Sequence, residues 1–228
     1  MFADRKKKKR GFTLIELIVV IAIIGTLMAF VLPSISGVLE RSRRSAAQNC
    51  LKKIADAYLM YREDKGDFDS STVTNIKTFA LLLAREGFLN DPNCYVFPSD
   101  AKAQSINKVK KNTIVHGNGT TETGCWTSDS NPNSFSVNII IGLSDSCQPN
   151  TTPIAYTRGL QSNGTWSMDG VFGAKGGFIA FLDGKVKWFD DVQNKLMKAD
   201  MTGMTNNLKD AIPPTDAKII GGSGQITM

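Results

Sequence analysis

The sequence predicts an α+β protein: a long N-terminal helix, apolar in its first half and amphipathic in its second, packed on a small antiparallel β-sheet head. Three observations lead there. Residues 12–32 read FTLIELIVVIAIIGTLMAFVL, almost unbroken in apolar character. Apolar residues then recur at spacings of three and four as far as Tyr61. Near the C-terminal end, Asp183-Gly184 separates two β-prone runs. A chain of 228 residues is long enough for one medium-sized domain with one core.

Charge sets the first boundary. The formal net charge is +6, but six of the 27 Lys/Arg and only one of the 21 Asp/Glu fall in residues 1–11. The remainder is nearly neutral, so the basicity belongs to a leader and the body carries no general affinity for polyanions. No specific nucleic-acid partner is expected; the Arg41, Arg43, Arg44 cluster suits lipid headgroups or the acids of a neighbouring subunit better than DNA.

Phe12–Leu32 as a helix would be about 31 Å long at ~1.5 Å per residue, matching a hydrocarbon core of roughly 30 Å. The basic run Arg5–Arg10 should keep the N-terminal side cytoplasmic and leave the body outside. Ser34-Ile35-Ser36 before Gly37 is a tolerable signal-peptidase site, but the apolar run exceeds the ~7–15 residues of a signal peptide and contains an acid, Glu16. An acid inside a span costs on the order of 2.5–3.5 kcal/mol at its centre and less near its end, so it normally has a function.

Lys9-Arg10-Gly11-Phe12-Thr13-Leu14-Ile15-Glu16 resembles the leader junction of type IV pilins and type II secretion pseudopilins. That resemblance implies cleavage after Gly11 by a prepilin peptidase that also N-methylates Phe12. Glu16 becomes the fifth residue of the mature chain and a contact for the Phe12 amine of a neighbouring subunit, while Gly25 and Pro33 fall where pilins carry helix-loosening residues. A buried charge is costly alone and tolerable when paired, so such a contact would set register between copies. Further partners implied are other copies, related pilins and an inner-membrane assembly machinery. The expected location is the bacterial inner membrane as a single-pass protein, then a periplasmic pseudopilus or a cell-surface pilus. The implied division is a cleaved leader (1–11), a transmembrane and assembly helix (12–33), its amphipathic continuation (34–65) and a globular head (66–228).

The amphipathic half is legible as Ile35, Val38, Leu39, Ser42, Ala46, Cys50, Leu51, Ile54, Ala57, Tyr58 and Tyr61, a stripe with one buried face. The helix should run from about Phe12 to about Glu63, bend near Gly25–Pro33 and stop at Gly66. A second helix is expected over Asn75–Glu86, ended by Gly87. Residues 99–133 are polar and rich in Asn, Thr, Gly and Ser, which predicts an irregular exposed excursion. Phe135–Leu143 is a β-prone run, and Pro149–Tyr156 leads into another strand. Gly177–Phe189 reads as a hairpin whose Asp183-Gly184 pair predicts a type I′ turn.

That hairpin resembles a group of pilin-like proteins of environmental bacteria ending in an FxDGHVxxF-type segment. Lys185 stands where that group has His, Gly173 stands at its upstream His, and Phe97 replaces the Cys of its Cys-Pro-Ser-Asp. Roles of those histidines do not transfer.

Catalytic chemistry is not encoded in any recognisable pattern: no nucleophile elbow, phosphate loop or HExxH occurs, and His116 is the single histidine. No enzyme activity and no cofactor are expected. Calcium at Asp183, Asp190 and Asp191 is the metal reading to weigh, against Asp183 as a turn residue and the other two as an exposed helix start. Trp126, Trp166 and Trp188 read as partial core before a ligand platform. Cys50, Cys94, Cys125 and Cys147 lack metal-ligand spacing and, in an oxidising compartment, are disulfide candidates. Of three possible connectivities, Cys125–Cys147 with Cys50–Cys94 is preferred because the first pair flanks one loop-and-strand segment. The rival class is a membrane-anchored extracytoplasmic binding or enzymatic domain carrying a prepilin-like leader.

Overall fold

The structure, a computed structural model, describes residues 12–116, 121–122, 124–127, 131, 133–213 and 217–221, with the side chains of 30–36 and 121–122 outside that description. The basic leader with Gly11 and part of the polar excursion therefore lie outside the described residues. Helix α1 spans Leu14–Lys65 and contributes to two compact units, Met1–Arg44 and Ser45–Met228. Beyond its end, the Gly66 amide donates to Arg62 O at 3.0 Å.

In the first unit, the large apolar side chains from Phe12 to Met28 are exposed on every side of α1, with Phe12 74%, Ile18 50% and Leu27 61% exposed. A helix that is apolar all round needs surroundings other than water. Among the described residues no helix is long and apolar enough to cross a membrane. From Leu14 to Ala29 the helix is about 24 Å long at ~1.5 Å per residue, and the sequence stays apolar over residues 30–32.

In the second unit α1 buries one face, through Ala47, Leu51, Ile54, Ala55, Ala57 and Tyr58. Burial starts later than the sequence stripe implies: Val38, Leu39 and Ala46 are exposed, and Ala47 enters the core instead. Periodicity tells which face can be buried, whereas the point of first contact depends on how far the head extends. Cations of α1 fasten it to head loops. Lys52 Nζ donates to Gly184 O (3.0 Å), Lys53 Nζ approaches Asp91 Oδ2 (3.4 Å), and Arg62 donates to Leu143 O and Asp145 Oδ1 (both 2.9 Å).

Helix α2, Ile76–Arg85, matches the expected second helix and begins with a reciprocal cap between Asn75 and Thr78. A turn at Pro92–Cys94 follows. Next comes α3, Ala101–Ile106, inside the segment whose composition predicted irregular, exposed chain. Asp100 caps it through the Ala103 amide at 3.1 Å. That excursion also carries strands β1 (Val115–His116) and β2 (Thr121–Glu122) and buries Ile114, Val115 and Cys125. Polar composition hid a few apolar residues that reach the core.

Strands β3 (Val137–Ile141), β4 (Pro153–Thr157), β5 (Gly177–Phe181) and β6 (Val186–Phe189) form an antiparallel meander. A small hairpin of β7 (Leu196–Met197) and β8 (Met204–Thr205) follows, and β9 (Lys218–Gly221) returns to pair with β3. The sheet order is β6-β5-β4-β3-β9. β3, β4 and β5 are buried along their whole length, which is why they read as apolar runs without alternation.

The β5–β6 hairpin forms where expected but with a different turn. Phe181 O accepts from the Gly184 amide (2.8 Å), the Phe181 amide donates to Lys185 O (2.9 Å), and only Gly184 takes positive φ (+77°). A type I′ turn needs positive φ at both central residues; this arrangement is a turn followed by a left-handed bulge glycine. Asp183 stays at negative φ while its Oδ1 accepts from the Lys185 amide at 3.0 Å.

Candidate functional site

The N-terminal element is built around residues 12–16. Thr13 precedes α1, and the Leu17 amide donates to Thr13 O at 3.3 Å. The Glu16 amide donates to Thr13 Oγ1 (3.3 Å), while the Thr13 amide (2.9 Å) and hydroxyl (2.6 Å) both donate to Glu16 Oε2. This is a reciprocal capping box, in which the residue three places after the cap satisfies the cap's own amide. The acid also sits at the positive end of the helix dipole. Thr13-Leu14-Ile15-Glu16 has the T-x-x-E spacing of a capping box, so the sequence carries a partner for Glu16 within its own chain. Phe12 is exposed beside it, and Gly25 lies in α1 with nothing within 4 Å of where a Cβ would stand. Pro33 lies inside the continuous span of α1.

The head's strongest electrostatic feature was not anticipated. Arg158 and Asp100 are 1% and 3% exposed in their side chains. Arg158 Nη2 donates to both Asp100 oxygens, at 2.9 and 2.8 Å. Arg158 Nε donates to Phe135 O (3.1 Å), and Nη1 to Asn133 Oδ1 (3.2 Å) and to Asp169 O. Asp100 also accepts from Ser136 Oγ at 2.7 Å. One buried pair thus joins the start of α3, the approach to β3 and the end of β4. The signal was an Arg directly after the apolar strand Pro153–Thr157.

Two of the three tryptophans sit in aromatic clusters. Trp126 packs edge-on against Tyr95 and Phe135, Trp188 against Phe172 and Phe178, and Trp166 is buried. The acidic trio does not converge. Asp183 pairs with Lys185 (2.6 Å), Asp190 accepts from Trp188 Nε1 (2.6 Å), and Asp191 pairs with Lys195 (2.9 Å). Among the described residues no group of three or more His, Cys, Asp or Glu is placed to hold a metal ion. An open groove of about 530 Å³ lies between α1 and the β5–β6 hairpin. Its ionisable side chains are Lys52, Lys185, Lys187 and Asp183, without a nucleophile and base in contact. Arg41 and Arg43 are exposed, and Arg44 pairs with Glu40 at 2.8 Å.

All four cysteines are thiols in the structure. Cys50 and Cys94 lie against one another. Cys147 has Arg62 and Ser144 as neighbours, and burial raises its pKa above the ordinary thiol value. The Cys125 carbonyl accepts from the Lys110 amide at 2.6 Å.

The N-terminal element is also where known proteins resemble this one. The family described as "Prokaryotic N-terminal methylation motif" matches residues 6–32. Fimbrial protein EcpC of Eikenella corrodens is 46% identical over 61 residues, covering 27% of this chain and 40% of that protein. Type II secretion system core protein G is 36% identical over 64 residues in both Pectobacterium carotovorum subsp. carotovorum and Escherichia coli K12. Those matches cover 28% of this chain and 41% and 44% of the relatives. The N-terminal segment is thus similar to those of a fimbrial protein and of type II secretion system core proteins. The chain spans about two fifths of the length of the curated relatives it matches. No solved structure matches it.

Proposed function

We propose that this chain is a structural subunit of a type IV pilus or type II secretion pseudopilus, cut after Gly11, N-methylated on Phe12 and polymerised through its N-terminal helix. It spans the inner membrane once before assembly, with the head outside. Its partners are the prepilin peptidase and methyltransferase, the assembly machinery and further copies of itself or related pilins. The observation that carries the reading is a helix that leaves its apolar side chains exposed on every side from Phe12 to Met28 and has one carboxylate, Glu16, at its start. Lipid can solvate the apolar surface before assembly, and the same surface on other copies can replace lipid afterwards. A binding or enzymatic domain would need only the first of these.

The test is the mature N-terminus. Expressed with a prepilin peptidase, the chain should yield a mature protein beginning with N-methyl-Phe12. Retention of residues 1–11, or cleavage after Ser36, would refute the reading. Two substitutions separate the two jobs of Glu16. Glu16→Gln keeps the capping box, which accepts Gln as well as Glu, but removes the charge; Glu16→Ala removes both. Both variants should be processed and both should fail to form filaments by electron microscopy. Filaments from Glu16→Gln alone would mean that the cap matters and the charge pairing across copies does not.

A further inference from the structure

We propose that Cys50 and Cys94 are an oxidisable dithiol whose disulfide ties α1 to the Pro92–Cys94 turn. The inference rests on the head alone and does not depend on the pilin reading. Cys50 is half-buried on α1, with Sγ 3.7 Å from Asn93 O. Cys94 is fully buried at the end of the turn, with Sγ 3.6 Å from Asp91 Oδ2. Asp91 itself is fixed: it caps the turn through the Asn93 amide at 3.0 Å and meets Lys53 Nζ at 3.4 Å. Cys50 Sγ thus reaches the carbonyl of the residue next to Cys94, which brings the two thiols to the same point between α1 and the turn.

The two thiols are not equivalent. Cys50 ionises first, because the neighbouring Cys94 and the Lys53 ammonium lower its pKa, while burial and Asp91 oppose. Cys94 is held protonated by the Cys50 sulfur and by burial. Cys50 is also the one with access to solvent. With a small disulfide oxidant such as oxidised glutathione, the Cys50 thiolate attacks one sulfur, the oxidant's S–S bond breaks, and the first glutathione thiolate leaves and is protonated. Cys94 then loses its proton to Asp91 or solvent and attacks Cys50 Sγ, expelling the second glutathione thiolate, which is protonated in turn. Two protein thiols and one oxidant disulfide become one protein disulfide and two small thiols. The closed loop of roughly 45 residues includes α2, so oxidation should restrict the unfolded chain and stabilise the head.

The experiment uses the full chain in detergent, reduced and then exposed to oxidised glutathione, alkylated with iodoacetamide in denaturant and digested without reductant. Mass spectrometry should find the Cys50–Cys94 linked peptide and leave Cys125 and Cys147 alkylated. The thermal midpoint should rise by about 5–10 °C on oxidation. Separate alkylation of Cys50 and Cys94, a stable glutathione adduct, or a link from either to Cys125 or Cys147 would overturn the assignment. Cys50→Ser should abolish the oxidant-dependent rise. A rise that persists in that variant would overturn it equally.

Discussion

Replacing Asp100 by Asn should destabilise the head severely while leaving the N-terminal element untouched. Asp100 accepts four hydrogen bonds: two from Arg158 Nη2 at 2.9 and 2.8 Å, one from Ser136 Oγ at 2.7 Å and one from the Ala103 amide at 3.1 Å. Asn keeps one acceptor and places an amide donor against a guanidinium that can only donate. It also strands the Arg158 charge, whose side chain is 1% exposed. Removing one member of a buried ion pair costs roughly 3–5 kcal/mol, most of it from the charge left behind. For a unit of the size of Ser45–Met228, about 2–4 °C per kcal/mol gives a fall in midpoint of roughly 6–20 °C.

The assay is thermal unfolding followed by the fluorescence of Trp126, Trp166 and Trp188, all within that unit. A shift below about 2 °C would refute the claim that this pair organises the head. The double variant Asp100→Leu with Arg158→Met sharpens the test, since replacing both charges by apolar groups is often neutral. Recovery should be partial, because Phe135 O and Asp169 O lose the donors that Arg158 supplies.

Gly177→Ala should lower the same midpoint through overpacking by about 1–3 kcal/mol, because its Cβ would stand 2.4 Å from the Trp166 ring and from Thr157 Oγ1. Gly25→Ala should keep or raise helicity by circular dichroism, as nothing occupies its Cβ position and Ala is favoured over Gly by about 1 kcal/mol; lost helicity would contradict this. Asp67→Asn should gain on wild type in urea midpoint as pH rises from 4 to 7. Burial raises the Asp67 pKa above its ordinary value, against the Phe68 amide and Arg62, so its carboxyl favours folding below its unfolded pKa and loses that contribution as pH climbs through the raised one. A difference that stayed constant between those pH values would exclude Asp67 as the source.

The helices were the most legible part of the fold because their signals are local. Asn75 and Gly66 mark ends that hydrogen bonds confirm, and the stripe through Leu51, Ile54 and Tyr58 marks the buried face. β3 to β6 were legible as apolar runs, but β9 was not: Lys218–Gly221 is short and becomes a strand only by pairing with β3. The turn at Asp183-Gly184 was legible as a position, whereas its type depended on an Asp183 side-chain bond to the Lys185 amide. The Asp100–Arg158 pair joins residues 58 positions apart, a separation no local pattern reports. At the N-terminal element the acid is conspicuous because it interrupts an apolar run, whereas its bonds to Thr13 are carried only by the T-x-x-E spacing.

That bond changes what Glu16 must be asked to explain. An acid that accepts two hydrogen bonds from Thr13 at the start of a helix has a local reason to exist, and any anchor helix would benefit from it. The cap by itself therefore argues for no filament. Both of Thr13's bonds end on Oε2, however, and a carboxylate offers acceptor sites on its second oxygen too. A cation brought up from outside could be accepted without undoing the cap, and the cap would hold the carboxylate still for it. The proposed cut after Gly11 would turn the Phe12 amide, a neutral donor, into an ammonium and so create a cation of the required kind on each copy. In the proposed filament the exposed apolar helix would supply the low-dielectric setting in which such a pair is selective, because a copy slipped along the axis would leave both charges buried alone. Local capping and register between copies are thus compatible uses of one side chain, and they part company at Glu16→Gln.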